Sequence, residues 1–407
     1  MKRKSMRMLA SALVLIYCVS VFAPMGYAGV DATFQCFCGS AREHEQNARR
    51  LKGALDAYGA VGAQVVLIKD WKIADIYCFG YASRQDKILV NPNTMFRVGS
   101  ISKMVTAIGL LRLWEMGLFD LDEDIGRYCD FPVRNPYHRD TPITIRQIMT
   151  HTSSLVDYGH YNRAINGTVV KLSSVFTSSS SSTDFSTNTP GAKYDYSNFG
   201  GGLLGSFIEL FTGMTSDEWM ARAVYRPLGI TASYFTPSLP KDVYIAKIYS
   251  IASYSVIMDS MALTHADKTD DYQTHYIYSA GALSISAYDL AKALLVIAGD
   301  GSVDGVRVLE PGTVAMMRTA QNNIGSVTCE SKTGLNLNII QNRLVSGRTL
   351  YGHQGKAYGM ICAAYCDPTD GTGVVLLTNG CDDSTVNSVA RIAHEVLGVA
   401  YKIIEGQ

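Results

Sequence analysis

The sequence carries no surplus charge: 36 lysines and arginines are matched by 36 aspartates and glutamates. With no net basic field to attract a polyanion, nucleic-acid binding is not expected, and a small or mixed-charge partner is. No internal repeat is visible, which sets aside a stacked-repeat architecture. Histidine is missing at finger-like spacing from Cys36 and Cys38, which stand one residue apart, so neither a metal nor a cofactor is expected. The N-terminal apolar run falls short of the roughly 20 residues that cross a bilayer, because Pro24 interrupts it and leaves about 16.

That run is better explained as a leader. Lys2, Arg3, Lys4 and Arg7 precede an uncharged stretch from Met8 to Val30, and Gly26 and Ala28 supply a small-residue cleavage pattern, so residues 1–28 are read as a signal peptide. Export is expected, with membrane attachment only where the leader stays uncleaved. Cys18 follows the bulky Tyr17, which argues against a lipid anchor. Eight further cysteines (36, 38, 78, 129, 329, 362, 366 and 381) are compatible with disulfides outside the cell, and their pairing is not legible.

The 407 residues, 47% of them hydrophobic, can bury a large core. A helix is predicted from Arg42 to Tyr58, then a β-hairpin turning at Asp70 to Lys72, then a helix from Ser100 to Leu118. The middle, about 119–278, reads as an inserted helical lobe. Its "SSVFTSSSSSTDFSTNTPG" is Ser/Thr-rich and read as a surface loop. A helix follows at 286–299, then strands at "LNLNII", "RTLYG", "YGMICAAY" and "GVVLLTNG", and a last helix from about Thr385 to Val399. The mature chain, 29–407, is thus one α/β unit whose sheet comes from both ends, about 45–118 and 279–400.

The chemistry is concentrated at "FRVGSISKMVTA", residues 96–107. On a helix starting near Ser100, Lys103 shares a face with Ser100, whereas Ser102 points about 200° away. The same face continues with Met104, Ala107, Leu111 and Trp114, so the lysine is buried. Desolvation and the positive helix end both lower its pKa. A neutral amine beside a hydroxyl can take its proton, and the helix N-terminus offers N–H groups to a developing oxyanion. "SLPK" repeats the spacing at Ser238 and Lys241, but Pro240 breaks any helix there.

Two further elements complete the pattern. In "PGAKYDYSN", Tyr196 and Asn198 face the same way if the segment is extended; the phenol can shuttle a proton and the amide can hold a substrate amide. In "YGHQGKAYG", His353, Gln354 and Gly355 enter a strand, where the glycine permits close approach and the Lys356 N–H can complete an oxyanion hole.

This set resembles the penicillin-recognising serine hydrolases: Ser-x-x-Lys at Ser100 and Lys103, Tyr-x-Asn at Tyr196 and Asn198, and a His-x-Gly strand at His353 and Gly355. "IMTHTSSL" and "SAGALSISAYDLAK" agree with the branch of class C β-lactamases, D-alanyl-D-alanine carboxypeptidases, D-aminopeptidases and esterases, over roughly residues 45–400. "SKTG" at 331–334 spells another form of the third motif, but too many strands follow it. Ser154 stands where the family usually has glycine, His151 reads as structural, and no acidic deacylation loop of the class A type is visible.

The resemblance implies the β-lactamase-like (DD-peptidase) fold, an α/β fold with a central antiparallel sheet flanked by helices and carrying an inserted helical lobe. It implies an acyl-enzyme on Ser100, with Lys103 and Tyr196 moving protons. Asn198, His353 and Gly355 bind substrate, and the Ser100 and Lys356 N–H groups hold the oxyanion. The substrate class it implies is a small peptide with D-amino-acid character, with a β-lactam or an ester as the alternative substrate and a slowly turning-over penicillin-binding sensor as the alternative role.

Overall fold

The computed structural model of the protein describes residues 40–166, 171–258, 278–321 and 332–407. The leader 1–28, Cys36, Cys38 and Cys329 lie outside the described residues.

An antiparallel sheet of eight strands forms the centre, in the order β4-β5-β6-β7-β8-β1-β2-β3. The strands are β1 (Gly62–Lys69), β2 (Lys72–Ser83), β3 (Ile88–Leu89), β4 (Lys332–Thr333), β5 (Asn338–Gln341), β6 (Thr349–Ala357), β7 (Met360–Asp367) and β8 (Thr372–Thr378). Strand β1 of the first segment pairs with β8 of the last, Ala63 opposite Thr378, so both ends of the chain build one sheet.

The near-continuous apolar run "VVLI" in β1 is explained by cover on both faces. Val65 and Leu67 join a core under helices α1 (Ala41–Asp56) and α7 (Arg391–Ile404), while Val66 and Ile68 face the larger core of the helical side. Helix α7 buries Ile392, Val396, Leu397, Ala400, Tyr401 and Ile404, a stripe at helical spacing. Each fully buried Leu, Ile or Val contributes about 1.5–3 kcal/mol. On the other face lie α2 (Ile101–Glu115), α5 (Asn198–Thr212) and α6 (Ala287–Ala298).

Several expectations are corrected. "RTLYG" and "HQGK" are one strand, β6, rather than a strand and a strand entrance. Helix α7 starts at Arg391, because a short hairpin, Thr385–Val386 against Val389–Ala390, occupies the residues first assigned to it.

The Ser-rich stretch is not a surface loop. It forms helix α4 (Leu172–Thr177) and a 3-10 turn at Ser181–Asp184, because Leu172, Val175, Phe176 and Phe185 have a core to enter. Asp184 is buried and accepts hydrogen bonds from the backbone N–H and ring Nδ1 of His160, on helix α3 (Gly159–Ile165).

Of the five described cysteines, Cys78, Cys362, Cys366 and Cys381 are free thiols. Four of the five are buried as small apolar side chains, and burial pushes the Cys362 and Cys366 thiols up to about 12.

Candidate active site

Ser100 caps the N-terminus of α2 after a turn in which Gly99 has φ +54°. Its backbone is helical, so Lys103 falls one turn along, on the same face. Lys103 Nζ lies 3.1 Å from Ser100 Oγ. Ser102 turns elsewhere, donating to the Gly99 carbonyl at 2.6 Å and accepting from Leu283 N–H at 3.1 Å.

Lys103 is fully buried, and burial pulls its pKa down to about 7, partly opposed by the Asp157 carboxylate. Its other two neighbours are acceptors only toward it: Asn198 Oδ1 at 2.9 Å and the Ala280 carbonyl at 2.6 Å. A neutral amine has two N–H bonds and one lone pair. With both N–H groups held by Asn198 and Ala280, the lone pair is left facing the Ser100 hydroxyl. On the other side Tyr196 donates its O–H to Ser100 Oγ at 2.8 Å.

Tyr196 and Asn198 reach the site differently from the expectation. Asn198 is the first residue of α5 rather than part of an extended segment, because Ser197 caps that helix by accepting from Gly200 N–H at 2.9 Å. Asn198 Nδ2 donates to Asp157 at 2.8 Å, so both ends of its amide already have partners and one Nδ2–H remains to meet a substrate.

Strand β6 closes the opposite wall. Its pairing with β5 ends at Gly352, and the following residues run past the Ser100 turn. A Cβ on Gly355 would lie 2.0 Å from the Val98 carbonyl, so only glycine lets the strand approach this closely. That same point is 3.4 Å from Ser100 N, and a Cβ on Gly99 would lie 3.4 Å from Lys356 N, so the two N–H groups meet at one mouth.

His353 shares the face of Gly355 by strand alternation and is buried, its Nδ1 2.6 Å from the Gln354 carbonyl. A carbonyl can only accept, so that contact puts a proton on Nδ1. The Lys356 side chain points away, to Asp383. Lys332 of "SKTG" lies on the edge strand β4, with β5 between it and β6, outside this cluster.

Two residues of the site escaped the sequence reading. Asp157 accepts from Ser197 Oγ at 3.0 Å, Phe199 N–H at 2.9 Å and Asn198 Nδ2, and so fixes the Tyr-x-Asn turn. Nothing in its spacing announces this. Gly201 gives Lys103 its channel, since a Cβ there would lie 2.5 Å from Lys103 Cε. The triple glycine inside a helical stretch was its signal. His151 packs under Tyr196, ring centres 4.4 Å apart, and its Nδ1 accepts from Ser197 N–H at 3.3 Å. Burial, with Lys103 and His353 nearby, keeps its pKa well below the usual value. Ser154 has φ +65°, which explains why glycine is usual there.

Asp157 is a positioning residue with a measurable signature. In Asp157→Asn the new N–H would face the Asn198 N–H, donor against donor, and the Tyr-x-Asn turn should shift. Acylation of Ser100 is expected to slow by roughly 10- to 100-fold. Removing the charge also lowers the Lys103 pKa, so the acidic limb of the pH–rate profile should move to lower pH. A limb that stays in place would leave Asp157 a purely structural role.

The sheet, the helical side packed on it and the Ser–Lys–Tyr cluster between them define a serine hydrolase of the β-lactamase-like class. A family model described as Beta-lactamase matches residues 47–397, and the chain belongs to that family. It is 24% identical over 354 residues to a putative D-alanyl-D-alanine carboxypeptidase of Salmonella agona, covering 81% of each chain. With protein flp of Staphylococcus aureus it shares 24% over 190 residues, 47% of this chain but only 38% of that longer one. The D-amino acid amidase of Ochrobactrum anthropi, solved with D-phenylalanine, superimposes with a TM-score of 0.67 at 21% identity, over 89% of this chain and 99% of the amidase; that likeness speaks for the fold.

Proposed function

We propose that the protein is an exported hydrolase that works through an acyl-enzyme on Ser100, with small peptides of D-amino-acid character as substrates. The observation that carries this reading is the placement of one hydroxyl between a lysine amine at 3.1 Å and a phenol at 2.8 Å. Lys103 takes the Ser100 proton as Oγ attacks the carbonyl, and the Ser100 and Lys356 N–H groups receive the charge on oxygen. The Lys103–Tyr196 pair returns the proton to the leaving group; water then enters by the same route and releases the acid. His353 and Gly355 line the wall along which the substrate lies. The names of the Salmonella and Ochrobactrum relatives support the D-amino-acid preference, and the leader supports export.

Incubation with a fluorescent penicillin, followed over time, tests the reading. Label that forms on the protein and persists for many minutes is expected of a peptidase of this kind. Rapid loss of label would make it a β-lactamase, and no label at all would favour an esterase or a more specialised peptidase.

A further inference from the structure

The mouth of the site holds a cation that has no counter-ion among the described residues. Arg97, on the short strand Phe96–Arg97 that leads into Ser100, is half-buried. Its Nε donates to the Gly281 carbonyl at 2.9 Å, and Nη1 lies 3.1 Å from the Met258 thioether, a weak acceptor. Among the described residues no carboxylate comes within ion-pair distance of it. The contrast within the chain is clear. Arg112, Arg134, Arg146 and Arg348, of similar exposure, each pair with an aspartate or glutamate, and Arg318 takes two carbonyls at a helix end. A desolvated guanidinium left with one carbonyl and a sulfur has unused donors.

Its surroundings point into the site. Gly281 follows Ala280, whose carbonyl holds the Lys103 amine. The guanidinium lies 5.7 Å from the ring centre of Tyr358, which is 51% exposed at the turn between β6 and β7, just beyond Lys356. Tyr358 has φ +54° and Gly359 φ +93°, a two-residue turn whose first position suits asparagine. A bulky tyrosine held in the left-handed region is strained backbone, the kind kept at ligand clamps. The third member, Tyr161 of α3, packs on Phe199 at 5.9 Å next to Asn198. Burial lowers the Arg97 pKa, and Tyr358 and Tyr161 act in the opposite sense, so all three share one electrostatic neighbourhood.

We infer that Arg97, Tyr358 and Tyr161 form a subsite for a carboxylate of the substrate. The guanidinium supplies charge and unused N–H donors, and the two phenols supply O–H donors around it. This deepens the proposed hydrolase reading and rests on it. It separates carboxylate-bearing peptides from substrates recognised by a free ammonium group, which this cation would repel. The carboxylate can belong to the leaving group or to the acyl part.

Two matched pairs of probes separate these sources. In the first, an acetyl-D-alanyl thioester with a carboxylate on the leaving thiol is compared with its methylamide. In the second, succinyl-D-alanyl ethyl ester is compared with the acetyl ester. In the wild type one pair should show about a 10- to 100-fold higher kcat/KM for its anionic member, the scale of a hydrogen bond to a charged group. Arg97→Met should bring that ratio to within about twofold by slowing only the anionic member.

Arg97→Lys should keep part of the preference. Tyr358→Asn, which relieves the turn and folds readily, should lower it severalfold. The pair that responds identifies the source. No preference in either wild-type pair, or a preference that survives in Arg97→Met and in Tyr358→Asn, overturns the subsite. Labelling of Ser100 with a neutral fluorophosphonate, run alongside, reports on the nucleophile itself. If Ser100 labels and the ratios fail, only the subsite falls. If Ser100 is inert to the fluorophosphonate and to every probe, the hydrolase reading falls with it.

Discussion

Ser100→Ala is expected to abolish turnover of every substrate the wild type cleaves, by about 10⁴- to 10⁶-fold, with the fold intact. The size follows from what is removed. Lys103, Tyr196 and the two N–H groups are all aimed at this one oxygen, and without it they have nothing to activate. The neighbouring serine provides the control. Ser102 Oγ bridges the Gly99 carbonyl and the Leu283 N–H, so Ser102→Ala leaves a buried backbone donor unsatisfied. It should cost about 1–3 kcal/mol of stability while leaving the acylation chemistry in place. Kinetics and thermal melts on the two variants check both statements. Comparable turnover in Ser100→Ala would remove the nucleophile from this site.

Lys103→Met should damage the rate severely, though less than loss of Ser100, and the fold hardly at all. The fall of the lysine pKa from 10.5 to about 7 corresponds to roughly 5 kcal/mol of preference for the neutral amine. An unfolded lysine keeps its proton up to about pH 10.4. The native lysine therefore lowers stability progressively as the pH falls from there toward 7, and the penalty stays constant below. Methionine fills the channel beside Gly201 without that penalty but leaves Asn198 Oδ1 and the Ala280 carbonyl without their donor, and with the two effects opposed the melting midpoint near pH 7 should change little.

Acylation, by contrast, should fall by about 10²- to 10⁴-fold, the range of a positioned general base. The wild-type rate needs the amine unprotonated, so it should rise with pH through a midpoint near 7. That limb should vanish in Lys103→Met. An unchanged limb would assign the titration to another group.

Much of this was open to reading because it rests on local rules. The pairing of Ser100 with Lys103 follows from one helical turn, and the hairpin of β1 and β2, with Lys69 opposite Lys72, follows from two β-rich runs that flank a turn. The central antiparallel sheet with flanking helices agrees with the resemblance. What escaped depends on tertiary company.

Asp157 looks like any acidic loop residue until Ser197, Asn198 and Phe199 fold over it. The Ser-rich stretch misled because its composition hid three apolar residues, Val175, Phe176 and Phe185, that reach a core. Asn198 was placed in an extended segment because the cap on Ser197 is visible only once the helix behind it is recognised. The four glycines in that helix, poor helix formers, concealed it, and one of them, Gly201, makes room for the lysine.

The most direct test of the central claim is to locate the covalent adduct. The wild-type protein, incubated with a fluorophosphonate or a β-lactam, would be digested and its modified peptide sequenced by mass spectrometry. A single adduct on Ser100, slowed in Lys103→Met and absent in Ser100→Ala, is the result this account predicts. An adduct on another serine, or one on Ser100 that forms equally fast without the lysine, would contradict it.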